Sequence, residues 1–220
     1  MINQTFWAPI QLSITVASVA LVVVALGGVI TAWFMANKQF KGKTTIETIL
    51  LLPIVLPPTV IGFILVIIFG KNGPIGNLVD RFLHQSIMFT VWAAIIAAIV
   101  VSFPLMYQSV KTGFQSIDKH IEEAARVDGA NEFKILRYIS IPLCYKPIIS
   151  GLVLSFARAL GEFGATIMFA GNIPGKTQTI PTAIYVAFES NQMTLAWTWV
   201  ISIVLISYTM LYLIRQLNKE

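Results

Sequence analysis

Long uncharged apolar stretches alternate with shorter polar ones along the whole chain of 220 residues. Four of the apolar stretches reach the roughly 20 residues that an α-helix needs to cross a bilayer. They cover residues 9–36, 49–70, 85–110 and 190–214. A fifth apolar region, residues 141–169, is interrupted by three charged residues, Lys146, Arg158 and Glu162. The pattern predicts an all-α integral membrane protein with five transmembrane helices, and it leaves room for a sixth short helix after the fifth.

The composition agrees with a membrane protein and offers little for catalysis. Hydrophobic residues make up 56% of the chain and charged residues only 11%, against about 25% charged residues in soluble domains. The one cysteine cannot form an internal disulfide. The two histidines, His84 and His120, fall in different loops, so neither a metal site nor a catalytic pair is indicated. We expect a single transmembrane domain over residues 1–220, with no enzymatic activity and no cofactor of its own.

Positive charges divide unequally between the two sets of loops that five spans create. One set holds eleven Lys and Arg residues: Lys38, Lys41, Lys43, Lys111, Lys119, Arg126, Lys134, Arg137, Lys146, Arg215 and Lys219. The other set holds only Lys71, Arg81 and Lys176. Because loops rich in Lys and Arg stay on the cytoplasmic side, we expect the amino terminus outside the cell and the carboxyl terminus in the cytoplasm. The net charge of +5 then follows from topology, and no aromatic-basic pattern indicates a nucleic-acid partner.

The polar run at about residues 111–142 has a helical pattern of its own. Glu122 and Arg126 stand four residues apart and therefore lie on one helix face. Asp118 is suited to cap the start of that helix, and Gly129 is suited to the left-handed position just after its end. Asn131 can cap a second helix. The run predicts a helix, a glycine turn and another helix on the cytoplasmic side.

Small residues around the glycine turn leave two interpretations open. Ala124, Ala125 and Ala130 give the helices a flat face that the backbone of a partner could approach closely. This favours a protruding element that docks into a complementary cleft on a cytoplasmic protein. Basic amphipathic helices also lie on lipid headgroups, and a pair of headgroup-bound helices would show the same pattern.

The sequence of this loop, EEAARVDGANEFKILRYISIP, resembles the EAA motif of ABC importer permeases. That motif is Glu-Ala-Ala, three residues, Gly, nine residues, Ile, one residue, Leu and Pro. The matching residues here are Glu123, Ala124, Ala125, Gly129, Ile139 and Pro142, with Ile141 in place of the leucine. In that family the loop forms coupling helices that dock on a cytoplasmic ATPase subunit. The resemblance implies that the ATPase-coupling residues are Glu122, Glu123, Ala124, Ala125, Gly129, Ala130, Ile139 and Pro142.

Two further stretches narrow the resemblance. LLLPIVLPPTVIGFILVIIFGKNGPIG and FARALGEFGATIMFAGNIPGKTQTIPTAIY are similar to the molybdate permease subunits of ABC importers, with sulfate and thiosulfate permeases as relatives. The resemblance implies a type I ABC importer permease fold in a bacterial cell membrane, working as a symmetric homodimer. It also implies an extracytoplasmic molybdate-binding protein and a cytoplasmic ATPase dimer as partners, with ATP and Mg²⁺ bound by the ATPase.

Other functions remain open from the sequence. A permease for sulfate, thiosulfate or tungstate would look the same, because the resemblance implies that the binding protein selects among tetrahedral dianions. A secondary anion transporter would work without an ATPase, and we would expect internal repeats or more intramembrane ionisable residues. A membrane scaffold that only anchors a cytoplasmic partner would make the intramembrane prolines and Arg158 dispensable.

Prolines and glycines mark candidate positions for a pathway or a gate. Pro57 and Pro58, together with Pro53, predict a kink in the second span, because each proline removes a backbone donor and crowds the preceding turn. Such a kink serves either helix packing or a water-filled pathway. Gly161 and Gly164 would allow a bend or a close helix contact, and a gate, in the fifth apolar region.

Arg158 and Glu162 are the clearest intramembrane charges, and they lie four residues apart on one helix face. Arg158 follows Pro147 by eleven residues, which is about 16 Å along a helix and near the bilayer midplane. A charge there is costly and needs a partner. The pair predicts either a mutual ion pair that fixes the helix or a positive charge offered to a passing oxyanion, and the ion pair is the simpler interpretation.

Overall fold

The computed structural model describes residues 2–83 and 85–217. His84 and Lys219, both used in the sequence analysis, lie outside these residues. The described part folds into helices without a β-strand, which confirms the all-α prediction. In chain order the α-helices are α1 (Ile2–Asn37), α2 (Lys43–Val55), α3 (Pro58–Phe69), α4 (Pro74–Leu83), α5 (Val91–Gln115), α6 (Lys119–Val127), α7 (Glu132–Ile135), α8 (Ile141–Leu143), α9 (Tyr145–Leu160), α10 (Gly164–Phe169), α11 (Ile180–Glu189) and α12 (Met193–Leu217). A π-helical turn, Leu136–Ser140, separates α7 from α8.

The described helices contain candidates for the five predicted spans. Three are long and apolar enough to cross a membrane unaided: Phe6–Asn37 of α1, the whole of α5, and Met193–Tyr212 of α12. Two bent pairs bring the number to as many as five, namely α2 with α3, and Glu132–Leu143 with α9. The short helix expected after the fifth span is α11, which at 10 residues has about half the length that a crossing needs.

One predicted span is displaced along the chain. The sequence placed the third span at residues 85–110, whereas α5 begins at Val91 and ends at Gln115. Residues just before Val91 form a turn instead, with Phe89 in the left-handed backbone conformation at φ 60°. Hydropathy alone cannot detect this turn, because the residues that form it are themselves largely apolar.

Helix α5 lies at the centre of the bundle, packed against α1 and α9. Its buried face begins with alanines, Ala93, Ala94, Ala97 and Ala98. Small residues let helices approach closely in a membrane, where apolar side chains gain little by leaving lipid for protein. Further along α5, Met106 and Tyr107 are fully buried, and Met106 fits between Gly28 of α1 and Gly151 of α9, where an added Cβ would come within 2.8 Å of it.

The second span is divided into two half-helices, α2 and α3, bent by 118° relative to each other. Leu56 and Pro57 between them are extended, with ψ angles of 140° and 137°. Each is followed by a proline, and a residue that precedes proline is driven away from the helical region. The predicted kink is therefore present. It is a complete break between two helices and not a bend within one, because two such residues follow one another. Pro53 is accommodated inside α2.

Candidate functional site

The loop that joins α5 to α9 is called the EAA loop below (residues 116–144). It contains the helix, glycine turn and helix that its sequence predicts. The Asp118 side chain accepts a hydrogen bond from the backbone N–H of His120 at 3.0 Å and caps α6. The Asn131 side chain caps α7 in the same way. Between them Gly129 has a φ of +84°, a conformation that glycine adopts without strain.

Glu122 lies in the interior of the EAA loop. Its buried carboxylate accepts a hydrogen bond from Ser140 Oγ at 2.8 Å. Arg126 is 3.6 Å from the same carboxylate, which confirms the predicted pair. Arg126 also forms a bidentate ion pair with Glu132, in which Nε donates to Oε1 at 2.7 Å and Nη2 donates to Oε2 at 3.2 Å. This pairing raises the pKa of Arg126 above its ordinary value. These contacts tie α6 to α7 and to the π-helical turn.

The other predicted coupling residues lie at or near the surface of the EAA loop. The exposed ones are Glu123, Ala124, Gly129 and Pro142, and the half-buried ones are Ala125, Ala130 and Ile139. Two large apolar side chains beside the glycine turn, Val127 and Phe133, are 87% and 65% exposed. The sequence analysis missed them because they occupy positions that the motif leaves free. Exposed apolar side chains grouped in this way are typical of surfaces that bind another protein.

A π-helical turn and a bend close the EAA loop. A proline inside a regular α-helix clashes with the carbonyl four residues earlier, which for Pro142 is that of Tyr138. The wider π-helical turn, Leu136–Ser140, provides space for this proline. The chain then bends by 77° before it enters α9. Since Ser140 at the end of the turn donates to Glu122, this bend is joined to α6 by a hydrogen bond.

Helices α3 and α10 lie against each other from their first residues, and each follows a break in the chain, after α2 and after α9 respectively. Gly164, the first residue of α10, lies against Pro58, the first residue of α3, so closely that a Cβ on Gly164 would come within 2.8 Å of the Pro58 Cβ. One turn further along α3, a Cβ on Gly62 would lie 3.0 Å from the Ala165 Cα. The structure therefore brings together two predicted pathway positions, Pro58 and Gly164. Pro57 lies in the break before α3 and is exposed.

Arg158 and Glu162 form the ion pair that their spacing predicts. One carboxylate oxygen of Glu162 accepts from Arg158 Nη1, and the other accepts from the backbone N–H of Ala165 at 2.7 Å. The Glu162 side chain is 1% exposed and that of Arg158 is 31% exposed. Gly161, in the same break, is exposed as well. The pair fixes the break between α9 and α10 and leaves part of the guanidinium uncovered.

An ion pair between Lys111 and Glu47 joins α5 to α2, and it was not predicted from the sequence. Lys111 Nζ lies 2.7 Å from Glu47 Oε1, and the Tyr107 hydroxyl donates to the same oxygen at 3.3 Å. Both charged side chains are mostly covered by their neighbours. From the sequence Lys111 was only one of several loop charges, since its partner belongs to a distant part of the chain. The pair holds the first half of the broken second span against the central helix.

Other polar groups of the described chain make structural contacts. Ser13 Oγ on α1 accepts the backbone N–H of Ile180 at 2.8 Å. Thr179 and Pro181 stand at the start of α11. Within residues 2–83 and 85–217, no group of three or more His, Cys, Asp or Glu side chains is placed to hold a metal ion.

Comparison with known proteins assigns the chain to a family. Residues 25–220 match the family described as the binding-protein-dependent transport system inner membrane component. The match includes the central helix, both broken helices and the EAA loop. The chain therefore belongs to this family of membrane transport components, and it is a multi-pass inner-membrane protein. The resemblance to importer permeases is confirmed.

Named relatives cover most of the chain. YvgM of Bacillus subtilis (strain 168), whose assignment to molybdenum transport is itself provisional, is 56% identical over 211 residues, which is 96% of this chain and 93% of its own. The molybdenum transport system permease protein ModB of Escherichia coli (strain K12) is 40% identical over 84% of this chain and 80% of its own. The sulfate transport system permease protein CysW of Synechococcus elongatus is 34% identical over 86% of this chain and 66% of its own.

Solved structures of ABC transporters share the fold. A bacterial ABC transporter involved in the import of the polysaccharide alginate has a TM-score of 0.79 at 17% identity, over 98% of this chain and 79% of that one. A bacterial alginate ABC transporter, in complex with a periplasmic protein that carries an alginate pentasaccharide, has a TM-score of 0.76 at 17% identity. The match covers 98% of this chain and 78% of that one. The inward-facing MetNI methionine ABC transporter gives 0.71 at 14% identity, over 99% and 96%. At these identities the likeness establishes an ABC importer permease fold and nothing finer.

Proposed function

We propose that this chain is the permease subunit of an ATP-driven importer that passes molybdate from an external binding protein into the bacterial cytoplasm. The observation that carries the proposal is the similarity to molybdenum permeases along most of the chain. The sulfate permease CysW is less similar over a comparable stretch. The capped and partly apolar EAA loop supports the same function, because a docking element needs a fixed shape and an exposed surface.

The EAA loop is the part of the chain that would contact the ATPase. Val127 and Phe133 beside Gly129 form an apolar surface that a cleft on the ATPase could enclose. Moving a two-state pathway from 1:99 to 99:1 takes about 5.5 kcal/mol of differential binding, and a loose loop could not transmit it. The internal bonds of Glu122 and Arg126 supply the necessary rigidity. ATP and Mg²⁺ would bind to the ATPase, and this chain would hold no cofactor and catalyse no reaction.

A second copy of the chain is the partner that we propose within the membrane. Three long helices and two broken ones are few to enclose a path for an ion, and a two-fold pair is the commonest oligomer. The uneven distribution of Lys and Arg supports an external amino terminus, with the carboxyl terminus and the EAA loop in the cytoplasm. The segment before α11 would then face outward, toward the binding protein.

A permease for sulfate, thiosulfate or tungstate is the second candidate. All of these ions are tetrahedral dianions, and the similarity to CysW supports this candidate specifically. A secondary anion transporter without an ATPase ranks below both, because the described chain has one intramembrane Arg-Glu pair rather than a series of ionisable groups.

Co-purification tests the proposal first. The tagged chain would be extracted from its own cells in mild detergent, and the proteins that accompany it identified by mass spectrometry. We expect an ATPase and a second, differently tagged copy of the chain. Glu123→Lys with Val127→Asp, both on the loop surface, should lose the ATPase, while Lys176→Glu on the exposed turn before α11 should retain it. A wild-type preparation without an ATPase would overturn the importer and favour a secondary transporter.

Uptake measurements test the substrate. Cells that express the complex would be supplied with radioactive molybdate in competition with sulfate, thiosulfate and tungstate. We expect molybdate to be taken up with a large excess of sulfate present. Uptake that sulfate abolishes at equal concentration would favour the sulfate branch instead.

A further inference from the structure

Arg158 is a charged residue of the predicted fifth span whose side chain is partly uncovered. It follows Pro147 by eleven residues in α9, about 16 Å along the helix, in a hydrocarbon core about 30 Å thick. Its side chain is 31% exposed in the single chain. A guanidinium at that depth is costly in lipid, so its uncovered side should face water or protein.

Glu162 holds Arg158 from one side only. A guanidinium has five N–H donors, and in the part of the chain that the structure describes its one side-chain hydrogen bond is from Nη1 to Glu162. The second oxygen of Glu162 is occupied by the backbone N–H of Ala165. The carboxylate therefore positions the guanidinium and leaves most of its donors available.

The exposed face of α9 around Arg158 carries mostly small side chains, with Leu154, 49% exposed, as the exception. Its exposed positions recur at helical spacing: Ser150, Leu154, Ala157 and Gly161. Helix α1, by contrast, exposes large apolar residues such as Val22 and Leu26, which suit contact with acyl chains. Mostly small residues beside an uncovered charge favour a water-filled path between protein surfaces.

We infer that Arg158 contacts the oxyanion during its passage through the membrane, and that Glu162 is the positioning residue for this contact. The inference rests on the proposed function, because in the homodimer both copies of Arg158 would face one path. Two guanidinium groups match the charge of a tetrahedral dianion, and each can donate to two oxyanion oxygens at once. The nearby Glu162 carboxylates weaken the attraction, which lets the ion leave again.

Neutral variants distinguish an anion contact from a purely structural ion pair. Arg158→Gln leaves the Glu162 carboxylate without its charged partner. Arg158→Gln with Glu162→Gln removes both charges and keeps an acceptor for the Ala165 N–H. For an anion contact, both variants should lose molybdate uptake about tenfold or more, the usual effect of losing a hydrogen bond to a charged group. Arg158→Lys keeps the positive charge but loses the planar guanidinium that can donate two hydrogen bonds at once, and it should retain intermediate uptake.

The control for these variants is the amount of complex in the membrane, measured as the ATPase that co-purifies with the tagged chain. It should stay within about twofold of wild type in the double variant, since no charge is left unpaired. Wild-type uptake in the double variant would overturn the inference, because Arg158 would then serve only to pair Glu162.

Thiol labelling tests the same inference without measuring transport. The single cysteine, Cys144, is buried, and Cys144→Ala gives a cysteine-free background. Ala157→Cys then places a thiol on the exposed face next to Arg158, and Val22→Cys is the matched control on α1 at similar depth. In membrane vesicles, an anionic membrane-impermeant methanethiosulfonate should modify position 157 and not position 22. Excess molybdate should slow the reaction at position 157.

The outcomes separate this inference from the proposed substrate. Labelling at position 157 as slow as at position 22, or labelling that neither molybdate nor sulfate slows, would overturn the anion contact. Labelling that sulfate slows and molybdate does not would support the contact and overturn the molybdate assignment.

Discussion

Gly164 and Pro58 are in direct contact where the first residues of α10 and α3 pack together. A single methyl group on Gly164 would come within 2.8 Å of the Pro58 Cβ, which is closer than non-bonded carbon atoms pack. Helices α3 and α10 therefore form one packed unit, and each begins at a break in its span. Both helices also belong to the buried core around α5, to which α3 contributes Ile61 and α10 contributes Ala165.

Gly164→Ala should loosen the contact between α3 and α10. The added methyl group overpacks the site, which typically costs about 1–3 kcal/mol. Gly161→Ala is the matched control in the same break, since its Cβ would meet only the Ala157 carbonyl oxygen at 3.5 Å. Thermal unfolding in detergent can be followed by the reaction of a thiol dye with buried Cys144. We expect a lower transition temperature for Gly164→Ala alone, and equal transitions would contradict the tight contact.

Gly129→Val should uncouple ATP hydrolysis from anion uptake while the chain remains in the membrane. No atom lies within 4 Å of a Cβ at this position, so the effect comes from the left-handed backbone, which costs a residue with a Cβ about 1–2 kcal/mol. Gly129→Asn is the control, because asparagine tolerates this conformation. The measurement is the number of ATP molecules hydrolysed per anion taken up in proteoliposomes. An unchanged ratio in Gly129→Val would rule out a coupling role for the turn.

Glu122→Ala should destabilise the EAA loop, and Glu123→Ala should not. The first change removes the nearer acceptor of the buried Ser140 hydroxyl and leaves it only the Ile135 carbonyl at 3.4 Å, at a cost of about 1–3 kcal/mol. Glu123 is exposed, and its contact with the His120 imidazole, at 3.5 Å, is weak. Hydrogen exchange of the α6 amides should therefore become faster in Glu122→Ala only. Equal exchange in the two variants would show that the buried bond does not hold the loop.

The Glu47–Lys111 pair should contribute more than an exposed ion pair. Their side chains are 21% and 15% exposed, so solvent screens the attraction less than at a surface, where such pairs give about 0.2–1 kcal/mol. A double-mutant cycle with Glu47→Gln, Lys111→Met and both changes measures the coupling free energy through thermal unfolding. A coupling inside the range for exposed pairs would mean that another contact holds α2 to α5.

Features that depend on neighbouring residues could be predicted from the sequence. The caps Asp118 and Asn131 and the turn at Gly129 each involve residues within a few positions. The Arg158–Glu162 pair follows from helical spacing in the same way. These local rules also located the apolar stretches that form the spans, although they misplaced the start of α5.

Contacts between distant parts of the chain could not be predicted from the same rules. Helical spacing shows which residues share a face, and it does not show which helices become neighbours. Glu122 was paired correctly with Arg126, but Ser140 reaches it only after the loop folds over the glycine turn. Glu122 was therefore grouped with the docking residues, although its carboxylate is buried. The contact of Pro58 with Gly164 was hidden for the same reason.

The division of the second span into half-helices of 13 and 12 residues constrains how the chain enters the membrane during synthesis. Helices of these lengths measure about 20 and 18 Å, well short of a hydrocarbon core of about 30 Å. Neither half is long enough to cross alone. The carbonyls of Pro53 and Ile54 have no helical donor, because Pro57 and Pro58 lack an N–H, so in lipid they need partners from protein, and α10, which packs on α3, is synthesised much later. The turn is therefore completed after insertion, when the later helices arrive.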